Sequence, residues 1–408
     1  MAPFFGILGN SFATLYVAVI LLGPIILAVM CLQAFIDYKR NSFIASKLVD
    51  AATLEITLPK EMFKSPLAME LFLTSVYQTS GETTFLDRIF LGKTRAWFSL
   101  EIASFGGEVK FYIWTWRFWM PIVTSYLYAQ YPEIEIKEVE DYTKGVSFDE
   151  GKTDVFGIEY NLKKPDIYPI KTYVDYGLDQ DPKEEFKVDP MTLLLEYMGN
   201  NVAPGDQMWL QFIVRAHKKE KKEPGNWFGR EDWTVAAEAE VKKLKTKDIQ
   251  EAGEIKISGV NLTRGEKDIM EAIERNVSKL SYDCAIRSVY VPSSKEKFDD
   301  IHKVGLIALL RQFNTGNLNS FQIVKNHSTV FDFPWEDFKD IRLNWKKHHI
   351  LHSFKERSAF HFPHRSHYFT LNTESLATIY HFPGSTAKTP GISRVTAKKS
   401  EAPSNLPV

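Results

Sequence analysis

The chain has 408 residues, 44% hydrophobic and 25% charged, with a formal net charge of −1. That length and apolar content suffice for buried cores of domain size, and the near-zero charge argues against a body built wholesale to coat nucleic acid. Its two cysteines, Cys31 and Cys284, argue against a disulfide framework and give no reason to place the body in an oxidising compartment.

Residues 12–36 (FATLYVAVILLGPIILAVMCLQAFI) carry no charge. A helix of about 20 apolar residues crosses a hydrocarbon core of about 30 Å, so residues 1–40 read as a tail and a transmembrane helix. Gly23-Pro24 is a candidate kink, which membrane helices tolerate. A secretory signal would want a basic start and a small-residue cleavage pattern, and neither is present. Lys39, Arg40 and Lys47 follow the apolar run and no basic residue precedes it. The positive-inside bias then expects a single-pass protein of the inner (cytoplasmic) membrane, N-terminus outside and bulk in the cytoplasm.

The soluble part reads as α+β. In residues 41–145, strands are expected at 53–58, 97–103, 108–114 and 133–139. The middle two are joined by a turn at Gly106-Gly107. Helices are expected from Pro66, with Leu67, Met69, Leu71, Phe72 and Val76 on the apolar side, and over 117–131. The β-α-β-β-α-β order is that of a ferredoxin-like unit. Residues 146–330 are expected to hold a second, tandem unit. Its strands fall at 167–176, 208–216, 254–258 and 282–291, and its helices at 189–198, 263–280 and 298–312. A charged surface insertion spans 218–256. Residues 331–384 are basic, aromatic and histidine-rich, and residues 385–408 read as a flexible linker-like tail.

Two GKT tripeptides, at 92–94 and 151–153, fail as phosphate loops. Asp87 and Val146 stand where the first glycine of G-x-x-x-x-G-K-[ST] belongs, and neither tripeptide lies between a buried strand and a helix. Seven histidines fall between 348 and 381: His348, His349, His352, His361, His364, His367 and His381. His348 and His352, at i and i+4, have the spacing that lets two imidazoles face one metal, but no H-E-x-x-H pattern surrounds them. From Arg342 to His367 six basic residues (Arg342, Lys346, Lys347, Lys355, Arg357, Arg365) stand against one acid, Glu356, with Trp345 and Phe354 interleaved. The preferred reading is an electrostatic patch of about +5 for lipid headgroups, nucleic acid or a partner. The alternatives are a metal-dependent hydrolase built on the 348–367 cluster and a membrane-tethered nucleic-acid-binding module. No catalytic set, metal site or cofactor motif is expected.

Several blocks together carry a resemblance: SPLAMELFLTSVY (65–77), WFSLEIASFGGEVKFYI (97–113), YAQYPEIEIKEVEDYT (128–143), GDQMWLQFIVRAH (205–217), CAIRSVYV (284–291), the helix around 305–313, LNTESLATIYHFPG (371–384) and the tail TPGISRVTAKKSEAPSNLP (389–407). In this order they resemble the region ahead of the motor in membrane-anchored, HerA/TraG-like conjugation and secretion ATPases of candidate-phyla bacteria. In such proteins the tail leads into a RecA-like motor with a Walker loop, which would begin at Val408. The resemblance therefore implies either a stand-alone anchor module with its motor on a separate polypeptide or a truncated member, and no catalytic residue carries over. The expectation is a non-enzymatic, membrane-anchored platform subunit of a type IV secretion- or conjugation-like machine. Its partners would be membrane lipid, further copies of itself, a separate ATPase and nucleic acid.

Overall fold

Alternating apolar side chains, a glycine turn and a few helix caps account for most of the secondary structure. The computed structural model describes residues 2–59, 62, 64–82, 84–179, 189–218, 233–251, 263–331, 333–384 and 394–395. In chain order these form α1 (Ala2–Val49), β1 (Ala51–Pro59), α2 (Leu67–Ser75), α3 (Phe85–Ile89), β2 (Phe98–Phe105), β3 (Glu108–Trp116), α4 (Met120–Gln130) and β4 (Glu135–Val139). There follow β5 (Phe156–Leu162), α5 (Pro190–Asn200), β6 (Gln207–Ala216), α6 (Trp233–Glu251), α7 (Arg264–Ser278) and β7 (Ser281–Val291). The last elements are α8 (Ile301–Ala308), β8 (Phe321–Ile323), α9 (Ile341–Lys355), β9 (Phe369–Asn372), α10 (Thr373–Ile379) and β10 (Arg394–Val395).

The chain divides into two units, Met1–Asp50 with Ser80–Arg95, and Ala51–Thr79 with Ala96–Val408. In the first, α1 is a single helix of 48 residues that runs uninterrupted through Pro24. Its described stretch Ile20–Val49 is long and apolar enough to cross a membrane, and its most apolar window is not buried in the protein. Phe90 meets Phe35 of α1 edge-on at 6.4 Å. A capping box between Thr84 and Asp87 starts α3. Lys93 of the first GKT tripeptide pairs with Asp87 at 2.9 Å, and the segment leads into a strand. The second tripeptide turns the chain ahead of β5, with the Lys152 N–H donating to Asp149 O. Neither has a phosphate loop's setting.

The second unit is α+β, with one mainly antiparallel sheet. Among the described residues its order is β10-β1-β3-β2-β6-β7-β5-β8, with β4 also on β1 and β9 also on β7. Among the described residues only the short β1–β10 pairing is parallel. Gly106 and Gly107, at φ +58° and +93°, supply the two left-handed positions that close the β2–β3 hairpin. Strands β4-β1-β3-β2 are neighbours in that order, and all their pairings are antiparallel. The second half follows a different order, β6-β7-β5-β8. Its β6 pairs directly with β2 along their length, so the sheet crosses residue 145 without a break.

Side chains alternate between the two faces of this sheet. One face carries Leu54 and Ile56, Leu100 and Ile102, Phe111 and Ile113, Leu210 and Phe212, and Cys284 and Ile286. It packs against Phe72 of α2, Leu127 of α4, Leu195 of α5, Leu306 of α8 and Leu376 of α10. On α2 the buried residues include Met69, Phe72 and Leu73, whereas Leu67 and Leu71, expected on the apolar side, are exposed. The other face carries Tyr112, Trp209, Val289 and Val291 against Leu351 and Phe354 of α9.

Several expected elements shift. Residues 167–176 form turns, not a strand. Pro165 and Pro169 lack backbone donors, and the Asn319 amide fastens the segment by donating to the carbonyls of Lys164, Pro165 and Tyr168. The strand that fills that place in the sheet is β5. The expected strand at 254–258 lies outside the described residues, as does most of the tail. The Thr263–Glu266 capping box forms as expected, with both bonds present, and Asp189 caps α5 through Met191 N.

At Gly157 of β5 an added Cβ would stand 2.7 Å from Ile350 Cδ1 and 2.9 Å from its Cγ2. Ile350 is itself 1% exposed, so it has little room to yield. Gly157→Val is expected to destabilise the full-length protein by about 1–3 kcal/mol through overpacking. Gly265→Ala, where nothing lies within 4 Å, should leave stability unchanged or slightly raised. Thermal unfolding of the detergent-solubilised chain checks both.

Candidate functional site at the end of helix α9

Helix α9 brings the basic and histidine-rich residues onto the sheet. Asp337 starts it, its carboxylate accepting from the N–H groups of Arg342 and Leu343 at 2.9 and 2.8 Å. Its C-terminus closes as a Schellman motif. Ser358 N–H donates to Ser353 O, Arg357 N–H donates to Phe354 O, and Arg357 takes the left-handed position at φ +47°. Glycine usually fills that position, and an arginine there carries a backbone cost of about 1 kcal/mol.

The side chain of Arg357 supplies the compensation. It is fully buried, with Nε 3.0 Å from Glu101 Oε1 and Nη2 3.2 Å from Glu101 Oε2 and 3.0 Å from Asp141 Oδ1. Nη1 pairs with Asp141 Oδ2 and donates to Lys355 O at 2.8 Å. Glu101 also accepts from Tyr142, Gln211 and Ser99. Burial pushes the Asp141 carboxyl up, but the Arg357 charge and hydrogen bonds outweigh it and hold the group below the ordinary carboxylate range.

Glu101 belongs to a polar row that crosses four strands in register, Glu101 to Gln211, Gln211 to Arg287 and Arg287 to Glu159. Arg287 Nε lies 2.7 Å from Glu159 Oε1, its Nη1 donates to Ser353 O at 2.8 Å, and Gln211 Nε2 donates to Phe354 O at 3.1 Å. Three consecutive carbonyls at the end of α9 thus receive buried side-chain donors. Two of the three come from cations, which suit the negative end of a helix.

This geometry redistributes the basic residues. Arg357 is core, not surface. Lys346 is also buried, its ammonium donating to Lys325 O at 2.9 Å and lying 4.0 Å from the Phe331 ring centre. Lys347 pairs with Asp154, and Lys355 is half-buried. Arg342 and Arg365 remain exposed, Arg342 donating to Glu336 O. A charge count from Arg342 to His367 gives all six residues to one patch because it does not reveal which side chains face the sheet. Beside Arg342, residues 333–345 expose Phe333, Trp335, Phe338, Ile341 and Trp345, with Trp335 78% exposed. Phe333 stacks on Trp335 and Trp345 on His349.

The histidines sort differently from the i, i+4 expectation. His348 lies against Phe148. His352 instead meets Glu356 one turn on and His364 from the loop beyond. His352 Nδ1 is 2.9 Å from His364 Nε2, and Glu356 places Oε2 3.1 Å from His364 Nε2 and Oε1 3.6 Å from His352 Nδ1. Ser353 Oγ lies 3.0 Å from His364 Nδ1. His349, beside His364, is driven to a pKa of about 4 by burial and by the neighbouring imidazole, so it is neutral at pH 7. His381 is buried between Ala377 O and Asp189. The loop that returns His364 has no fixed period, so only the fold reveals the grouping.

The fold and this region define an α+β body behind an N-terminal apolar helix. The chain belongs to a family defined by a domain of unknown function (DUF8128), which matches residues 50–395, from the residue before β1 to the end of β10. No curated protein matches the chain.

Arg357→Met is expected to cost about 3–5 kcal/mol because it strands the buried Glu101 carboxylate, whereas exposed Arg365→Ala should stay within about 0.5 kcal/mol. Chemical unfolding of the two variants compares them. Because folding lowers the Asp141 pKa, its contribution is complete above the unfolded value of about 3.9 and fades as pH falls through the folded one. Melting temperature should therefore drop below about pH 4, and Asp141→Asn should lose part of that slope.

Proposed function

We propose that this chain is a non-enzymatic, membrane-anchored platform subunit of a type IV secretion- or conjugation-like translocation machine, working with a separate HerA/TraG-like ATPase. The observation that carries this reading is the tether. A 48-residue helix that carries the uncharged run 12–36 ends at Val49, and the sheet of the body begins at Ala51, with Asp50 alone between them. Lys39, Arg40 and Lys47 near its C-terminal end favour a body on the cytoplasmic side of the inner membrane.

Within the body, β1 to β4 with α2 and α4 read as a ferredoxin-like unit, supported by their β-α-β-β-α-β order and antiparallel neighbours. The strands from β5 onward read as an extension of that unit's sheet. The exposed aromatics of 333–345 with Lys339 and Arg342 form the surface offered to the motor. Large aromatics and arginine are the residue types that dominate protein interfaces. Membrane lipid is met through α1, and further copies of the chain complete the platform. Nucleic acid, where the machine moves it, is met by the same aromatic and basic side chains through stacking and phosphate pairing.

Pull-down of the full chain from native membranes in mild detergent, with mass spectrometry, tests this reading. A Walker-type ATPase without its own anchor should co-purify near stoichiometrically and be lost in Trp335→Ala/Trp345→Ala. Recovery of this chain alone, or ATP hydrolysis by the purified chain itself, overturns it.

A further inference from the structure

We infer that His352, Glu356 and His364 form a binding site for one divalent transition-metal cation of the Zn²⁺ class, clamping the end of α9 to the loop that follows it. The three side chains each offer a ligand atom, all within 4.8 Å of one another. The two imidazole nitrogens stand 2.9 Å apart, and the carboxylate reaches them through different oxygens, Oε2 at 3.1 Å from His364 Nε2 and Oε1 at 3.6 Å from His352 Nδ1, close to the spacing of about 3.3 Å that tetrahedral ligands at zinc distances require. Two imidazoles and a carboxylate select a borderline cation over Mg²⁺ or Ca²⁺, which take oxygen ligands.

The surroundings are those of a built site. Ser353 Oγ, itself buried, lies 3.0 Å from His364 Nδ1. A proton held between those two atoms leaves the His364 Nε2 lone pair facing His352 and Glu356, the orienting role that outer hydrogen bonds play for histidine ligands. Nε2 then confronts a second imidazole nitrogen and a carboxylate oxygen at contact distance, three lone-pair donors around one point. A cation satisfies all three together.

The backbone is held as well. Glu356 is the cap residue of α9, placed by the same Schellman turn that sends Arg357 inward, and Ser353 is fixed through its carbonyl by Arg287. His352 is the open side, with 60% of its side chain exposed. The fourth coordination position therefore faces solvent, where water or a ligand from outside the chain completes the tetrahedron. This inference does not depend on the platform reading, because its test measures metal binding alone.

Tag-free, chelator-stripped full-length chain in detergent is titrated with Zn²⁺ against a chromophoric competitor. The expected result is one tight equivalent per chain, weakened at least 100-fold in His364→Ala and Glu356→Gln. Ser353→Ala should weaken it about 10-fold, while His348→Ala and His367→Ala leave it unchanged. Glu356 is half-exposed, so Glu356→Gln keeps the test valid if His364→Ala does not fold. Co²⁺ in place of Zn²⁺ should give the intense visible absorption of a tetrahedral site, absent from Glu356→Gln. Less than one equivalent, binding unmoved by Glu356→Gln, or equal loss in His367→Ala would each overturn the assignment.

Discussion

Three carbonyls at the end of α9 are set on a sheet face that carries charges of its own, and hydrogen bonds join the two. Arg287, Gln211 and Arg357 donate to Ser353, Phe354 and Lys355. Glu159 and Glu101, with Asp141 beside them, balance the guanidinium groups. Without the helix end, the donors would lose acceptors in a region shielded from water. Without the row, α9 would bury unpaired carbonyls at its negative end. Ion pairs so deeply buried contribute little net stability but penalise any misplacement, so they position α9 more than they strengthen it.

That positioning passes directly to the chemistry-bearing residues. Ser353, Glu356 and Arg357 are consecutive in function as well as nearly so in sequence: one carbonyl is pinned, one carboxylate is turned outward and one guanidinium is turned inward. The left-handed backbone at Arg357 makes this division possible. A glycine there would relax the turn and abandon the core network. The residue is therefore a compromise between local geometry and long-range pairing, and it falls at the busiest point of the fold.

Much of the architecture was legible. The helix over the uncharged run at 12–36, the strands β2, β3, β6 and β7, the Gly106-Gly107 hairpin and the caps at Asp189 and Thr263 rest on local signals, and the fold forms each of them. What escaped was non-local. The pairing of β6 with β2 merges two expected domains into one sheet, and nothing in either strand names its partner. Glu101, Gln211, Arg287 and Glu159 each look like an ordinary polar interruption in an apolar strand, and only the register aligns them. Helical spacing pairs His348 with His352, whereas the chain turns at Arg357 and returns His364 to His352. Counting charges from Arg342 to His367 likewise does not distinguish Arg365 from Arg357, since composition is blind to direction.

The attachment of α1 has a mechanical side. It leads through Asp50 into β1, an interior strand hydrogen-bonded to β3 over 51–56 on one flank and to β4 over 53–57 on the other. A tether fixed to an edge strand would let tension peel one ladder, bond after bond. Here a load drawn along β1 is shared by two ladders in shear, and many bonds must fail together. The strand that follows α1 is thus held on both flanks, and a pull on the chain at Asp50 would spread into the sheet before it could unravel β1.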